Sequence, residues 1–168
     1  MHKKVFIFIC CFSLFLVKTS SAQESLYFLL QKFNSKEIPY ITVDSLQQNL
    51  DSFAILDARE PNEYQVSHLK DAIFVGFEYF SKEEIKKLVS NREKPIAIYC
   101  SIGIRSHKIA KKLKKMGYKH IFNVYGGIFE WKNKGYAVVD TANKETEKVH
   151  AYSRLWGVYL RKGEKIYD

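Results

Sequence analysis

Pro95 to Ser106 reads P-I-A-I-Y-C-S-I-G-I-R-S. Pro95 to Tyr99 is a short continuous apolar run, the pattern of a strand buried on both faces of a parallel sheet. Cys100 follows at once. From Ser106 a helical pattern runs to Met116, with Ile109, Ala110, Leu113 and Met116 on one face and Gly117 as its stop. A strand, a tight turn over a cysteine and a helix are thereby joined in one segment. The turn leaves the sulfur beside backbone N–H groups and a helix N-terminus. Both favour the thiolate, the reactive form of cysteine.

The same alternation extends in both directions. Upstream, Phe53 to Leu56 (F-A-I-L) is an apolar run ending in Asp57, and Pro61 to Val66 is a helical turn with proline near its start. Ala72 to Val75 is a strand. Ser81-Lys82-Glu83-Glu84 is a capping-box signature for a helix through Leu88. Further back lie a strand candidate at Ile38 to Val43, a brief helix at Ser45 to Leu50, and a helix over Gln23 to Asn34 with Leu26, Leu29, Leu30 and Phe33 at helical spacing. Downstream, His120 to Tyr125 is a strand, and Gly126-Gly127 opens a helix through Asn133 that ends near Gly135. Short apolar strands alternating with helices predict an α/β domain, a parallel sheet covered on both sides in three layers. It spans 38–139, with helical extensions over 23–37 and 140–168. In the second extension Val149, Tyr152, Trp156 and Tyr159 recur at three, four and three residues. That spacing predicts a C-terminal helix with an aromatic face, for core packing or for a protein partner.

The first 22 residues read as a leader. His2, Lys3 and Lys4 precede an apolar stretch from Val5 to Val17, and Ser20-Ser21-Ala22 offers a cleavage site before Gln23. The stretch is short of the about 20 residues that a membrane helix needs. An uncleaved anchor is the alternative. Cleavage predicts an exported protein, periplasmic or secreted, with no membrane span and 146 of its 168 residues remaining. Three lysines and no acids leave with the leader, so the net charge of +9 becomes +6. That balance suits an anionic substrate, and no nucleic-acid-binding motif accompanies it. Lys108, Lys111, Lys112, Lys114 and Lys115 crowd the helix after the loop, as a solvated face or as an attractor of an anionic partner. Cys10 and Cys11 leave with the leader too. Cys100 is then a lone thiol in an oxidising compartment, a liability unless it is buried or used.

The loop chemistry sharpens the choice. Ser101, Ile102, Gly103 and Ile104 separate Cys100 from Arg105 and must curl around the sulfur. Gly103 permits the backbone angles this needs. Successive N–H groups converge into an anion-binding nest with the helix dipole behind them, and Arg105 adds fixed positive charge.

Three segments resemble the rhodanese family of sulfurtransferases in its single-domain form: L-D-A-R-E-P-N-E-Y-Q-V-S-H-L-K-D-A (Leu56 to Ala72), I-Y-C-S-I-G-I-R-S (Ile98 to Ser106) and V-Y-G-G-I-F-E-W-K-N-K-G-Y (Val124 to Tyr136). The resemblance implies that Cys100 takes a sulfane sulfur from a donor such as thiosulfate and becomes a persulfide. The amides of Ser101 to Arg105 hold the terminal sulfur, with Ser106 closing the loop, and cyanide or a thiol removes it. No metal or organic cofactor is implied. A non-turnover sulfur-carrier or partner-binding module of the cell envelope is the alternative. Phosphatases of the same fold enclose five residues between cysteine and arginine. The four here suit a single sulfur atom. The resemblance further implies that Asp57 and Arg59 brace the loop; an ordinary ion-pair network of Asp57, Arg59 and Glu63 is the alternative. His68 is expected to be structural, and Trp131 to pack in the core. Ser67 stands where the family usually has glycine, Lys70-Asp71 where Pro-Gly is common, and Gly76-Phe77 where a proline is common.

Overall fold

The computed structural model describes residues 25–168. The leader expected over 1–22, with Cys10 and Cys11, lies outside the described residues. Two compact units divide the chain after Phe33. The described part of the first is one helix, α1 (25–33), in agreement with its helical spacing.

The second unit holds a five-stranded sheet: β1 (Tyr40–Ile41), β2 (Ala54–Asp57), β3 (Ile73–Phe74), β4 (Ile96–Tyr99) and β5 (Ile121–Val124), in the order β1-β5-β4-β2-β3. Every pairing is parallel. The helices are α2 (Val43–Gln47), α3 (Pro61–Val66), α4 (Lys82–Leu88), α5 (Arg105–Lys115) and α6 (Gly127–Asn133). Strand β4 is central and buried throughout, because its alternate residues serve opposite faces. Ile96 and Ile98 join the cluster of Leu56, Ile85, Ile109 and Leu113 beneath α4 and α5. Tyr99 turns to the other face, where its hydroxyl accepts from the Leu69 amide at 3.1 Å. Parallel strands place all their C-terminal ends on one edge, where α/β folds carry function; β4 delivers Cys100 there.

Local signals explain the boundaries. Ser81 caps α4 by accepting from the Glu84 amide at 3.3 Å, and α3 carries Pro61 at its start together with a Glu60–Glu63 capping box. Gly117 ends α5 at φ +92°. Asp71 adopts φ +60°, so it takes the left-handed turn that glycine would fill, a conformation short polar residues tolerate. Trp131 is buried and donates to the Ala137 carbonyl at 2.8 Å, as core packing requires.

The C-terminal extension is not helical. After the antiparallel pair β6 (Val138–Val139) and β7 (Glu145–Thr146), strands β8 (Lys148–His150) and β9 (Glu164–Ile166) form a small parallel sheet, and a single 3₁₀ turn covers Gly157–Tyr159. Val149 lies within β8, and Tyr152 stands at φ +64°, which no right-handed helix accommodates. Val149 thus belongs to a strand, Tyr152 to a left-handed bend, Trp156 to the turn that precedes the 3₁₀ segment and Tyr159 to that segment. Gly157 weakens any longer helix here.

Candidate active site

The loop Cys100–Ile104 is shaped from behind. The Ile128 and Phe129 amides of α6 donate to the carbonyls of Cys100 and Ser101 at 2.9 and 3.1 Å. The Gly103 carbonyl accepts from Asn123 Nδ2 at 2.8 Å and Asn34 Nδ2 at 2.9 Å. A trans peptide points its N–H opposite its C=O. Holding these carbonyls fixes the path of the loop around the sulfur. Gly103, at φ +106°, brings its own amide within 3.1 Å of Cys100 Sγ.

Gly127 makes this packing possible. A Cβ there would collide with the Cys100 carbonyl oxygen and lie 2.7 Å from that of Ser101, at a backbone φ of +55°. Gly127→Ala is expected to cost about 2–4 kcal/mol, from left-handed strain and overpacking together. It should slow alkylation of Cys100 as well. Thermal unfolding and thiol-labelling rates check both effects.

Burial pushes the Cys100 thiol up. The charge of Arg105, the Ser106 hydroxyl and the amides of Ser106 and Gly103 outweigh it, so the pKa falls below that of an ordinary thiol. The Ser106 hydroxyl has one proton, and Asn123 Oδ1 at 2.7 Å competes for it against Sγ at 3.5 Å. The shorter bond wins, which leaves the amides and Arg105 as the main support of the thiolate. Reactivity should rise with pH through this lowered pKa, because the thiolate is the form present above it. Arg105→Gln should move the midpoint to higher pH, read from the pH dependence of iodoacetamide alkylation.

Arg105, the first residue of α5, does not point freely into the pocket. Its guanidinium grips Glu63 through Nη1–Oε2 at 2.5 Å and Nη2–Oε1 at 2.8 Å, and Nη2 also donates to Ser101 Oγ at 2.8 Å. Ser101 Oγ donates in turn to Glu63 Oε1 at 2.9 Å. Burial raises the Glu63 carboxyl, but the hydrogen bonds and charge of Arg105 outweigh it and hold it below the usual carboxylate range.

The supporting residues divide into two groups. Asp57 and Arg59 form a fully buried pair, closed at 2.6 Å, and Arg59 also donates to the Ser67 carbonyl at 2.6 Å. The side-chain hydrogen bonds of Asp57 and Arg59 run to one another and to the Ser67 carbonyl. They fix the Ser67 turn and the start of α3. Glu63 places its carboxylate on Arg105 and Ser101, and its charge also acts on Arg59. The His68 ring stacks on Tyr64 at 3.9 Å, and Nδ1 lies 3.1 Å from the Tyr64 carbonyl.

Sequence reasoning missed Asn123 and Asn34, which hold the Gly103 carbonyl. Asn123 is fully buried within β5, and a polar residue inside the run I-F-N-V was the available signal. Also missed were Tyr152 and Trp156, which join Cys100, Ile102, Ile104 and Arg105 around a cavity of about 170 Å³. Cys100 is only 1% exposed, so this cavity is the route to its sulfur. On α5, Lys111 and Lys114 pair with Glu37 at 3.2 and 3.9 Å, and Lys108 and Lys112 lie over the rings of Phe77 and Phe80.

A family model described as the rhodanese-like domain matches residues 42–134. The chain belongs to that family, and its parallel sheet, central cysteine strand and amide-lined loop are the family's α/β fold. A tRNA uridine(34) hydroxylase of Hamiltonella defensa is 32% identical over 114 residues, 66% of this chain and 30% of that protein. A putative sulfur carrier protein, YrkF of Bacillus subtilis, is 32% identical over 106 residues, 60% of this chain and 55% of that protein. The chain thus spans roughly a third to a half of these curated relatives. Among solved structures, a rhodanese-related protein from Thermoplasma volcanium superposes with TM-score 0.53 at 30% identity, covering 60% of this chain and 97% of the other. A thiosulfate sulfurtransferase from Pseudomonas aeruginosa gives TM-score 0.59 at 17% identity, covering 83% of this chain and 26% of the other. That last likeness is one of fold alone.

Proposed function

We propose that this protein is a sulfurtransferase working through a persulfide on Cys100. The Cys100 thiolate attacks the outer sulfur of a donor. With thiosulfate, a new S–S bond forms as the sulfur–sulfur bond of the donor breaks, and sulfite leaves with the electron pair. A thiolate or cyanide then attacks the outer sulfur of the persulfide and Cys100 leaves as thiolate. The observation that carries this reading is the Gly103 amide at 3.1 Å from Sγ, on a loop whose Cys100, Ser101 and Gly103 carbonyls are held by hydrogen bonds. Such amides stabilise the thiolate before transfer and the charged outer sulfur after it. Cys100 and Arg105 act on the sulfur. Ser101 and Glu63 position Arg105, and Asp57, Arg59 and His68 support the scaffold.

Intact-mass analysis after incubation with thiosulfate or polysulfide tests the first half-reaction, by a gain of one sulfur on Cys100. Turnover to thiocyanate with cyanide tests the second. A second reading, a sulfur carrier without appreciable turnover, is favoured by the relative described as a putative sulfur carrier and by the near-complete burial of Cys100. Loading without turnover would select it. Export to the periplasm or medium is proposed from the leader pattern, and an N-terminus at Met1 in the isolated protein would refute cleavage.

A further inference from the structure

The cavity above Cys100 is chemically one-sided. Ile102, Ile104, Tyr152 and Trp156 supply carbon surface, and Arg105 is the one cation among the residues that line it. That cation is already engaged. Glu63 holds it bidentately, Glu60 stands 4.0 Å from Nη1, and the Tyr152 ring covers it at 4.8 Å from Cζ. A small dianion entering here exchanges water for hydrocarbon and meets an arginine whose charge two carboxylates offset. Such a transfer is less favourable than that of an uncharged apolar group.

Tyr152 and Trp156 come from the segment beyond residue 134, outside the stretch that the family model matches. Tyr152 is fastened in its left-handed conformation. Its amide donates to His150 Nδ1 at 3.1 Å, His150 Nε2 reaches Asp168 at 3.1 Å, and Asn62 at the start of α3 donates to the same Asp168 oxygen at 2.7 Å. The aromatic wall is therefore anchored to the domain at a built position. Its cavity of about 170 Å³ is close to the roughly 150 Å³ of an apolar cavity that accommodates one benzene ring.

We infer that Tyr152 and Trp156 are specificity-determining residues which select an organic thiol with a compact apolar or aromatic body as the sulfur-exchange partner of Cys100. This inference rests on the sulfur-transfer reading and names the partner class within it. In the accepting direction the thiolate R–S⁻ attacks the outer sulfur of the Cys100 persulfide, the R–S–SH bond forms, the Cys100 S–S bond breaks, and Cys100 leaves as thiolate. In the donating direction the same exchange runs in reverse. Neither direction needs an oxidant or reductant. The apolar body rests on the aromatic wall, and only the sulfur reaches the amides.

The test loads Cys100 with polysulfide and follows discharge by intact mass, with 2-phenylethanethiol or mercaptosuccinate as acceptor. Wild type is expected to discharge to 2-phenylethanethiol at least about tenfold faster, the low end of what burying one phenyl-sized group contributes. Tyr152→Asn tolerates the left-handed backbone and removes the ring, so it should lower the preference several-fold, as should Trp156→Ala. Tyr152→Phe should retain the preference, which separates loss of the ring from damage to the fold. Equal discharge to both thiols by wild type, or a preference unchanged in both Tyr152→Asn and Trp156→Ala, overturns this inference and leaves sulfur transfer standing. A persulfide that forms and discharges to neither thiol overturns the inference while the carrier reading stands. Failure of Cys100 to load overturns both readings.

Discussion

Cys100→Ser is expected to abolish sulfur loading and to lower transfer by on the order of 10³-fold or more, the scale seen when a covalent nucleophile is removed. Serine matches the size of cysteine and can take the same amide bond, so the fold should be retained. Its hydroxyl stays protonated where the thiol ionises, and it cannot form a persulfide. Intact mass after polysulfide treatment reads the first effect and thiocyanate release the second. Turnover retained by the variant would place the chemistry on another group and remove the basis of the proposed function. Unchanged thermal unfolding would show that the loss is chemical.

Asp57→Ala is expected to have the largest effect on stability, a loss of about 3–5 kcal/mol, the range for breaking a buried ion pair by deleting one partner. Both side chains of the pair are fully buried. Arg59 already has one amino group, Nη1, with no hydrogen-bond partner. Without Asp57 its charge would keep the Ser67 carbonyl, the nearby Tyr99 ring and the attraction of Glu63. Chemical denaturation measures the change. A loss below about 1 kcal/mol, the range of exposed pairs, would mean that water reaches this pair and that the Ser67 turn is held by other contacts. A double change of Asp57 and Arg59 to apolar residues should cost less than Asp57→Ala alone, since no stranded charge remains.

The centre of the sheet was legible because β2, β4 and β5 are largely buried on both faces. Runs such as F-A-I-L and I-A-I-Y then carry a signal that no turn or exposed helix imitates, and Pro61, Ser81 and Gly117 punctuate the helices between them. The position of the cysteine loop was legible too, since β4 and α5 flank it directly in sequence. What closes over the loop was hidden. Strands β8 and β9 pair Lys148 with Glu164, a contact that spacing within one segment cannot express. Four aromatic and aliphatic residues at helical intervals fit a strand, a bend and a 3₁₀ turn equally well. Glu63 illustrates a second kind of blindness. Its type and place on α3 were plain, but its choice of Arg105 over Arg59 depends on how α3 and α5 approach in space.

Cys100 draws its surroundings from Gly103 and Ser106 nearby, from Glu63 through Arg105, from Asn123 and the first turn of α6, and from Asn34. No single stretch of chain supplies them. While the polypeptide is unfolded the thiol is therefore chemically ordinary, protonated at neutral pH and slow toward electrophiles and oxidants. Its heightened reactivity is acquired only when distant segments converge. Maturation of the protein is then its own safety catch, and the rate at which the sulfur gains reactivity during refolding is a direct clock for the last steps of assembly.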